Sequence, residues 1–403
     1  MLYKSLAAVV IALGLPTFAS ATLIFTTSMG TSVTNSGFLS TIKYTDGKLE
    51  VINNQTSVCG VNPSWLEFAG DHIYCLDEDW GSTTGEGALN TLKTTRDGTS
   101  LTSINKTATL AGPVSTVRYG RSLKGLAIAA YAGGGTQSFD ISNPAAPSRV
   151  QTSKVEGFTK KPGAKPDGPQ LQARPHEVVL DPTGDFIAAP DLGADLIRIF
   201  KVDKNTLKYV ESTPVPTPDQ SGPRHGAFVK LVSGTYFYVV TELSNQIIGW
   251  KVNYKTDTLD FGEKLFIIPT HGPNTSVPLG TAASELVISP DSKFLLVASR
   301  NETTSLMDIP NPEDKAAGQI KSDPIINYAI QSNGTLSFQQ VFGAGGKNPR
   351  HFSLSKNGSL VLTALQDDGR VALIKRDVQT GKLTEFIGAV HLGGLPTFAK
   401  FKE

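Results

Sequence analysis

The sequence predicts an all-β fold, a single seven-bladed β-propeller of four-stranded antiparallel blades. Three observations predict it. Apolar-alternating strand pairs joined by tight Asp/Gly/Ser turns recur along the chain, their spacing is nearly constant, and the first and last copies are each incomplete.

The clearest copies are HEVVLDPTGDFIAAPD from His176, ELVISPDSKFLLVASR from Glu285 and HFSLSKNGSLVLTALQ from His351. A looser copy with two extra residues starts at His225, and degenerate ones lie near Trp65 and Thr116. Each pair is followed by a further strand and by a turn into a Leu-led strand, at Leu49, Leu101, Leu207, Leu259, Leu336 and Leu383. Period-2 alternation bounded by such turns marks antiparallel strands. The anchors near 65, 116, 176, 225, 285, 351 and 397 average about 55 residues apart, so residues 22–403 hold about seven copies. The copy at Thr397 (PTFAKF) lacks its later strands, while residues 22–49 supply strands without an anchor. Joining the two ends in one blade closes a ring and protects its edge strands. A two-domain β-sandwich is the alternative reading of the same strands.

Residues 1–21 read as a secretion signal. Lys4 is the charged region, Leu6 to Leu15 the apolar core, and Ala19-Ser20-Ala21 the cleavage site. The apolar run is too short to span a bilayer. The expectation is a secreted, unanchored protein, extracellular or associated with the cell wall, with the propeller over 22–403. An oxidising compartment makes a Cys59–Cys75 disulfide the default for the two cysteines. Six N-x-[ST] sequons, at Asn54, Asn105, Asn274, Asn301, Asn333 and Asn357, are candidate glycosylation sites. Lys+Arg at 37 against Asp+Glu at 36 excludes the concentrated positive field of a nucleic-acid binder or a polybasic membrane surface.

The tight turns all belong to one face of the ring. The long polar insertions, 157–173, 212–222, 271–282 and 301–325, belong to the other, and function concentrates on long loops held by a rigid scaffold. The repeat register places His176, Glu285, His351 and Arg224-His225 at the anchor position of four blades. Asp191, Glu242 and Arg300 end the second strands on the same face. The expected constellation at one mouth of the channel is therefore His176, Asp191, Arg224, His225, Glu242, Glu285, Arg300, Arg350 and His351. Such groups are costly near an axis unless they pair or bind something. Arg224–Glu242 and Glu285–Arg300 ion pairs stapling the ring are one reading; a concave site for an anionic ligand is the other.

Other chemistries lack residues. No G-x-S-x-G occurs, His176-Glu177 is followed by Leu180 where a zincin needs His, and His72, His271 and His391 show no ligand spacing. Arginines at the same mouth oppose a divalent cation, so no metal is expected. Gly133-Gly134-Gly135 reads as a turn, and Trp65, Trp80 and Trp250 as blade packing.

The segments RPHEVVLDPTGDFIAAPDLGADLIRIF, GPRHGAF with FYVVTELSNQIIGW, ASELVISPDSKFLLVASRN and NPRHFSLSKNGSLVLTALQDDGRVALIKRDVQTGKL resemble the seven-bladed propeller lactonase family. That family holds fungal carboxy-cis,cis-muconate cyclases and propeller-type 6-phosphogluconolactonases. The resemblance runs from about residue 174 to the end. It implies a metal-free, cofactor-free site whose roles fall on His176 in RPHE, Arg224 in GPRH, Glu242 in VVTEL and Arg300 in ASRN. In the cyclase reaction so implied, the arginines clamp carboxylates and Glu242 or His176 donates a proton as a γ-lactone closes. The first expectation is a muconate-cyclase-like enzyme acting on a small carboxylate or its lactone. A 6-phosphogluconolactonase-type hydrolase is the alternative, and a non-catalytic secreted glycoprotein the third reading.

Overall fold

The computed structural model describes residues 21–31, 36–79, 85–155, 158, 165, 168–273 and 275–402. The signal segment up to Ser20, Trp80, Asn274 and most of 157–167 lie outside the described residues. The rest forms seven radial antiparallel sheets. The strand nearest the axis in each is, in ring order, Pro63–Ala69, Pro113–Tyr119, Val179–Leu180, Pro223–Leu231, Ala282–Ile288, Pro349–Leu354 and Leu395–Lys402, defining blades 1 to 7.

Blade 7 closes the ring. Leu395–Lys402 pairs with Thr22–Met29, which continues outward into Phe38–Thr45 and Lys48–Thr56. Ile24 and Ile42 pack against Leu362, Val371 and Leu373 of blade 6. Phe25 and Leu39 pack against Leu66, Ile73 and Leu92 of blade 1. The chain ends thus join blades on both sides.

Second strands explain the near-continuous apolar runs of the sequence. Gly125–Ala130 and Phe186–Asp191 are buried at every residue, because neighbouring blades cover both faces. Outer strands such as Leu101–Leu110 keep the polar alternation of a half-solvated sheet. The tight turns are built by side chains: Asp181 accepts N–H bonds from Thr183 and Phe186, and Asn357 from Ser359. The sequon residues Asn54, Asn301, Asn333 and Asn357 are exposed and Asn105 is half-buried.

Two features of the long-loop face bear on function. Between Arg300 and Pro324 the insertion folds into its own hairpin, Met307–Pro310 against Gln319–Ser322, where the sequence suggested only a loop. Six inner strands also bulge near their first residue, at Pro63/Trp65, Pro113/Ser115, Pro223/His225, Ala283/Leu286, Pro349/His351 and Pro396/Phe398. A bulge re-aims the extra residue, here into the channel mouth.

Cys59, in the segment before blade 1, is joined to Cys75 in its second strand, His72–Asp77, with Cα atoms 6.0 Å apart. Closing a loop of this size contributes about 3 kcal/mol by the chain-entropy model. A Cys59→Ala/Cys75→Ala double variant is expected to lose about that much stability in urea unfolding. A loss near zero would show that the bridge constrains nothing. Among the described residues no helix is long and apolar enough to cross a membrane.

Candidate active site

The opening residues of the inner strands set two layers around the axis. Pro175, Pro223 and Pro349 face Asp191, Thr241 and Leu365 across the first ladder. Aligned on those prolines, His176 falls with Arg224 and Arg350, and one residue deeper Glu177 falls with His225 and His351. Blade 5 supplies Glu285 to the deeper layer. The register therefore corrects the single shared anchor position expected for His176, His225, Glu285 and His351. His176 belongs to the upper layer and the other three to the lower.

The upper layer forms a cavity of about 190 Å3 lined by His176, Arg224, Glu242, Arg300 and Arg350, with Glu78, Tyr131, Val114 and Met29. All four residues of the family quartet meet there. Glu242 is the hub: its Oε2 lies 2.7 Å from Arg224 Nε and 3.2 Å from Arg300 Nη2. Arg224 Nη1 donates to the Ser284 carbonyl, while Arg300 donates to the carbonyls of Ala282 and Ala283. Arg350 pairs with Glu78 across the channel. Burial alone would raise the Glu242 pKa, but Arg300 and Arg224 outweigh it and hold the carboxyl below its ordinary range. Glu242 is thus held as an ionised clamp between two guanidinium groups, an arrangement that disfavours the proton-donor role suggested by resemblance. Burial and the Arg300 charge bring Arg224 down to about 10, still cationic at neutral pH.

His176 is the remaining acid–base group. Its Nδ1 lies 3.2 Å from His225 Nε2, which leaves Nε2 for the cavity that the ring lines. Burial, then the Arg224 charge, holds its pKa well below that of a free imidazole, so the ring is neutral. Tyr131 packs edge-on to it at 5.4 Å.

The lower layer sits beneath. His225, Glu285 and His351 do not line the larger cavity but a void of about 10 Å3, the size of one water, under His176, Arg224 and Arg350. The lining of the larger cavity gives no support to their expected role as substrate contacts. Trp65 reaches this layer too, edge-on to His225 and His351, while also packing against the cores on both sides of blade 1 as expected.

Asp191 is a second correction. It is fully buried inside blade 3, where it accepts N–H bonds from Arg174 and Ala194 and lies 2.8 Å from Arg198 Nε. The sequence register equated it with Glu242, but its ladder equivalent is Thr241; a one-residue slip turns a strand side chain to the other face. The proposed Glu285–Arg300 pair is also replaced: Arg300 pairs with Glu242, and Glu285 with His225 at 2.8 Å and His351 at 3.5 Å. Glu78, Tyr131 and Glu177 were missed. The first two follow the last ladder residues of second strands, as Glu242 does, and Glu177 is visible once the prolines rather than the histidines are aligned.

Among the described residues, Glu177, His225 and Glu285 form a group with ligand atoms within 4.8 Å of one another, close enough to hold a metal ion. Two of their atoms are already engaged, Glu285 Oε1 with His225 Nδ1 and Glu177 Oε2 with the Gly226 N–H, while Glu285 Oε2 is buried without a partner. Arg224 adds a positive charge to the same region. A separate open groove of about 300 Å3 lies at the outer rim of blades 3 and 4, lined by Pro214, Pro216, Leu259 and Phe261, with no acid–base group comparable to His176.

Known proteins share this seven-bladed ring. The family described as "Lactonase, 7-bladed beta-propeller" matches residues 23–401, and the chain belongs to it. A relative from Arthroderma benhamiae named "Probable 6-phosphogluconolactonase" is 31% identical over 346 residues, 84% of this chain and 79% of its own. A 6-phosphogluconolactonase of Formosa agariphila is 24% identical over 88% of this chain and 92% of its own. The solved periplasmic gluconolactonase of Pseudomonas aeruginosa has the same fold, with a TM-score of 0.75 and 22% identity over 95% of this chain and 99% of its own.

Proposed function

We propose that the protein hydrolyses a sugar-acid lactone, as a lactonase of the 6-phosphogluconolactonase type. The observation that carries this is the charge and placement of the cavity groups. Arg224 and Arg300 converge on one point beside a neutral His176. Three guanidinium groups against Glu78 and Glu242 leave a single surplus positive charge. That surplus matches the one negative charge that develops on a lactone carbonyl oxygen when water adds. His176 Nε2 takes the proton from that water and returns one to the ring oxygen as the C–O bond breaks. Charge favours an unphosphorylated lactone over its phosphate ester. It also ranks cyclisation of carboxymuconate, a tricarboxylate, second, although the matched quartet is what favours that reaction.

The test is a substrate panel: glucono-1,5-lactone, its 6-phosphate and carboxymuconate, followed by acid release at constant pH and by diene absorbance. The expected result is acid release, fastest with the unphosphorylated lactone and unchanged by EDTA. No acid release from any lactone would overturn the reading, and loss of diene absorbance alone would establish the cyclase instead. We also infer export, from the signal-like residues 1–21; secreted protein should then begin at Thr22 on N-terminal sequencing. Protein retained in the cell with Met1 intact would exclude export.

A further inference from the structure

The lower layer has a shape that ion pairing alone does not require. His176 Nδ1, His225 Nε2, His225 Nδ1 and Glu285 Oε1 form a continuous buried line, with steps of 3.2 and 2.8 Å between side chains. Each end is pinned. Glu285 Oε1 also accepts the Leu286 N–H, and its Oε2 lies 3.5 Å from His351 Nε2, whose other nitrogen accepts the Ala399 N–H. With its Nδ1 accepting, a neutral His351 carries its proton on Nε2, but at 3.5 Å it makes no hydrogen bond, and Glu285 Oε2 is buried without a partner. Burial brings its pKa down to about 3, against the opposing pull of Glu285.

The line has two self-consistent proton arrangements. With Glu285 ionised, His225 Nδ1–H donates to it, His176 Nδ1–H donates to His225 Nε2, and His176 Nε2 presents a bare lone pair to the cavity. With Glu285 protonated, every donor reverses and His176 Nε2 carries a hydrogen. Both imidazoles stay neutral in both states.

We propose that Glu285, acting through His225, stores the proton His176 removes from the attacking water, so that His176 is base and then acid without becoming an imidazolium. The inference rests on the lactone-hydrolase reading. In the first step the water O–H proton moves to His176 Nε2, the His176 Nδ1 proton to His225 Nε2 and the His225 Nδ1 proton to Glu285. The oxygen of the water bonds to the carbonyl carbon, and negative charge passes from Glu285 to the oxyanion beside Arg224 and Arg300. When the ring C–O bond breaks, the alkoxide takes the Nε2 proton and the line runs back, restoring ionised Glu285. Water is consumed and a hydroxy acid released, with no other reactant.

Glu285 and His225 touch no substrate; they are positioning and proton-storing residues. The environment suits storage. Burial raises the Glu285 pKa, against the opposing pull of His351, Arg224 and Lys400, and burial keeps the His225 imidazole neutral. Burial and the charge of Glu285 also raise the pKa of Glu177, on blade 3, well above its ordinary value.

The experiment compares wild type with Glu285→Gln, which keeps shape and hydrogen bonding but cannot store a proton. Expected are a kcat lower by roughly 10²-fold or more with KM unchanged. Wild-type kcat should follow a curve in H2O/D2O mixtures, because several protons move together. It should also fall on the acid side with a limb above the ordinary carboxylate range, a limb missing in the variant. A folded variant with wild-type kcat, or a straight line in the mixtures, would overturn the proposal. If the variant fails to fold, imidazole 15N shifts of the wild type decide: Nδ1–H with bare Nε2 on His176 above the acid limb supports it, and the opposite tautomer overturns it. That readout needs no turnover, so it separates failure of the relay from failure of the lactonase reading.

Discussion

Deleting residues 395–403 is expected to leave a chain that does not fold. The strand Leu395–Lys402 is the innermost of blade 7 and pairs along Thr22–Met29. Without it three N-terminal strands lose the strand that pairs them to the inner ring and keep only their side-chain packing against blades 1 and 6. Phe398, at 1% exposure, and Phe401, at 5%, pack in the seams with blades 1 and 6. Thr397 Oγ1 donates to the Pro63 carbonyl of blade 1. Removing one large buried aromatic costs about 3–5 kcal/mol. Two of them together with the pairing of an eight-residue strand reach the whole stability of an ordinary domain, about 5–15 kcal/mol. Soluble expression and circular dichroism of the truncated chain provide the check. A soluble product with a cooperative melt would show that closure is dispensable.

Arg300→Lys should lower kcat/KM by roughly 10²-fold while leaving the melting temperature nearly unchanged. Arg300 is partly exposed, at 13% for its side chain, so its loss opens no sealed core. Its planar fork spans Glu242 and the carbonyls of Ala282 and Ala283 at once, which a lysine ammonium cannot reproduce. Removing one preorganised donor to a developing oxyanion typically costs about 10²–10³-fold. Were Arg300 only a staple between blades 4 and 5, the outcome would reverse, with a lowered melting temperature and unaltered turnover. Steady-state kinetics beside thermal unfolding of the same preparation distinguishes the two.

Repeat spacing made the ring and its closure legible, because every blade repeats one strand–turn–strand unit whose turn chemistry survives in sequence. The quartet of His176, Arg224, Glu242 and Arg300 was legible for the same reason, each residue sitting beside a recognisable strand boundary. Layering was not. Whether His176 or Glu177 stands level with His225 depends on bulges at the strand entrances, and a bulge leaves no mark in period-2 alternation. The same one-residue ambiguity misplaced Asp191, whose carboxylate serves Arg198 inside blade 3. Glu78 and Tyr131 come from blades 1 and 2, where the repeat is too degenerate for their equivalence to Glu242 to show before the strand ends are known. The Met307–Ser322 hairpin was hidden because its strands are only four residues long, too short for the alternation of Met307, Ile309 and Ile320, which pack against the core, to stand out.

A crystal structure with a sugar lactam, an amide in place of the reactive ester, tests the assignment of the active site most directly. The expected result is the lactam in the 190 Å3 cavity, its carbonyl oxygen within hydrogen-bond reach of Arg224 or Arg300 and His176 Nε2 facing the carbonyl carbon across room for one water. A lactam bound instead in the rim groove between Pro214 and Phe261, or turned so that its carbonyl points away from both arginines, would contradict it.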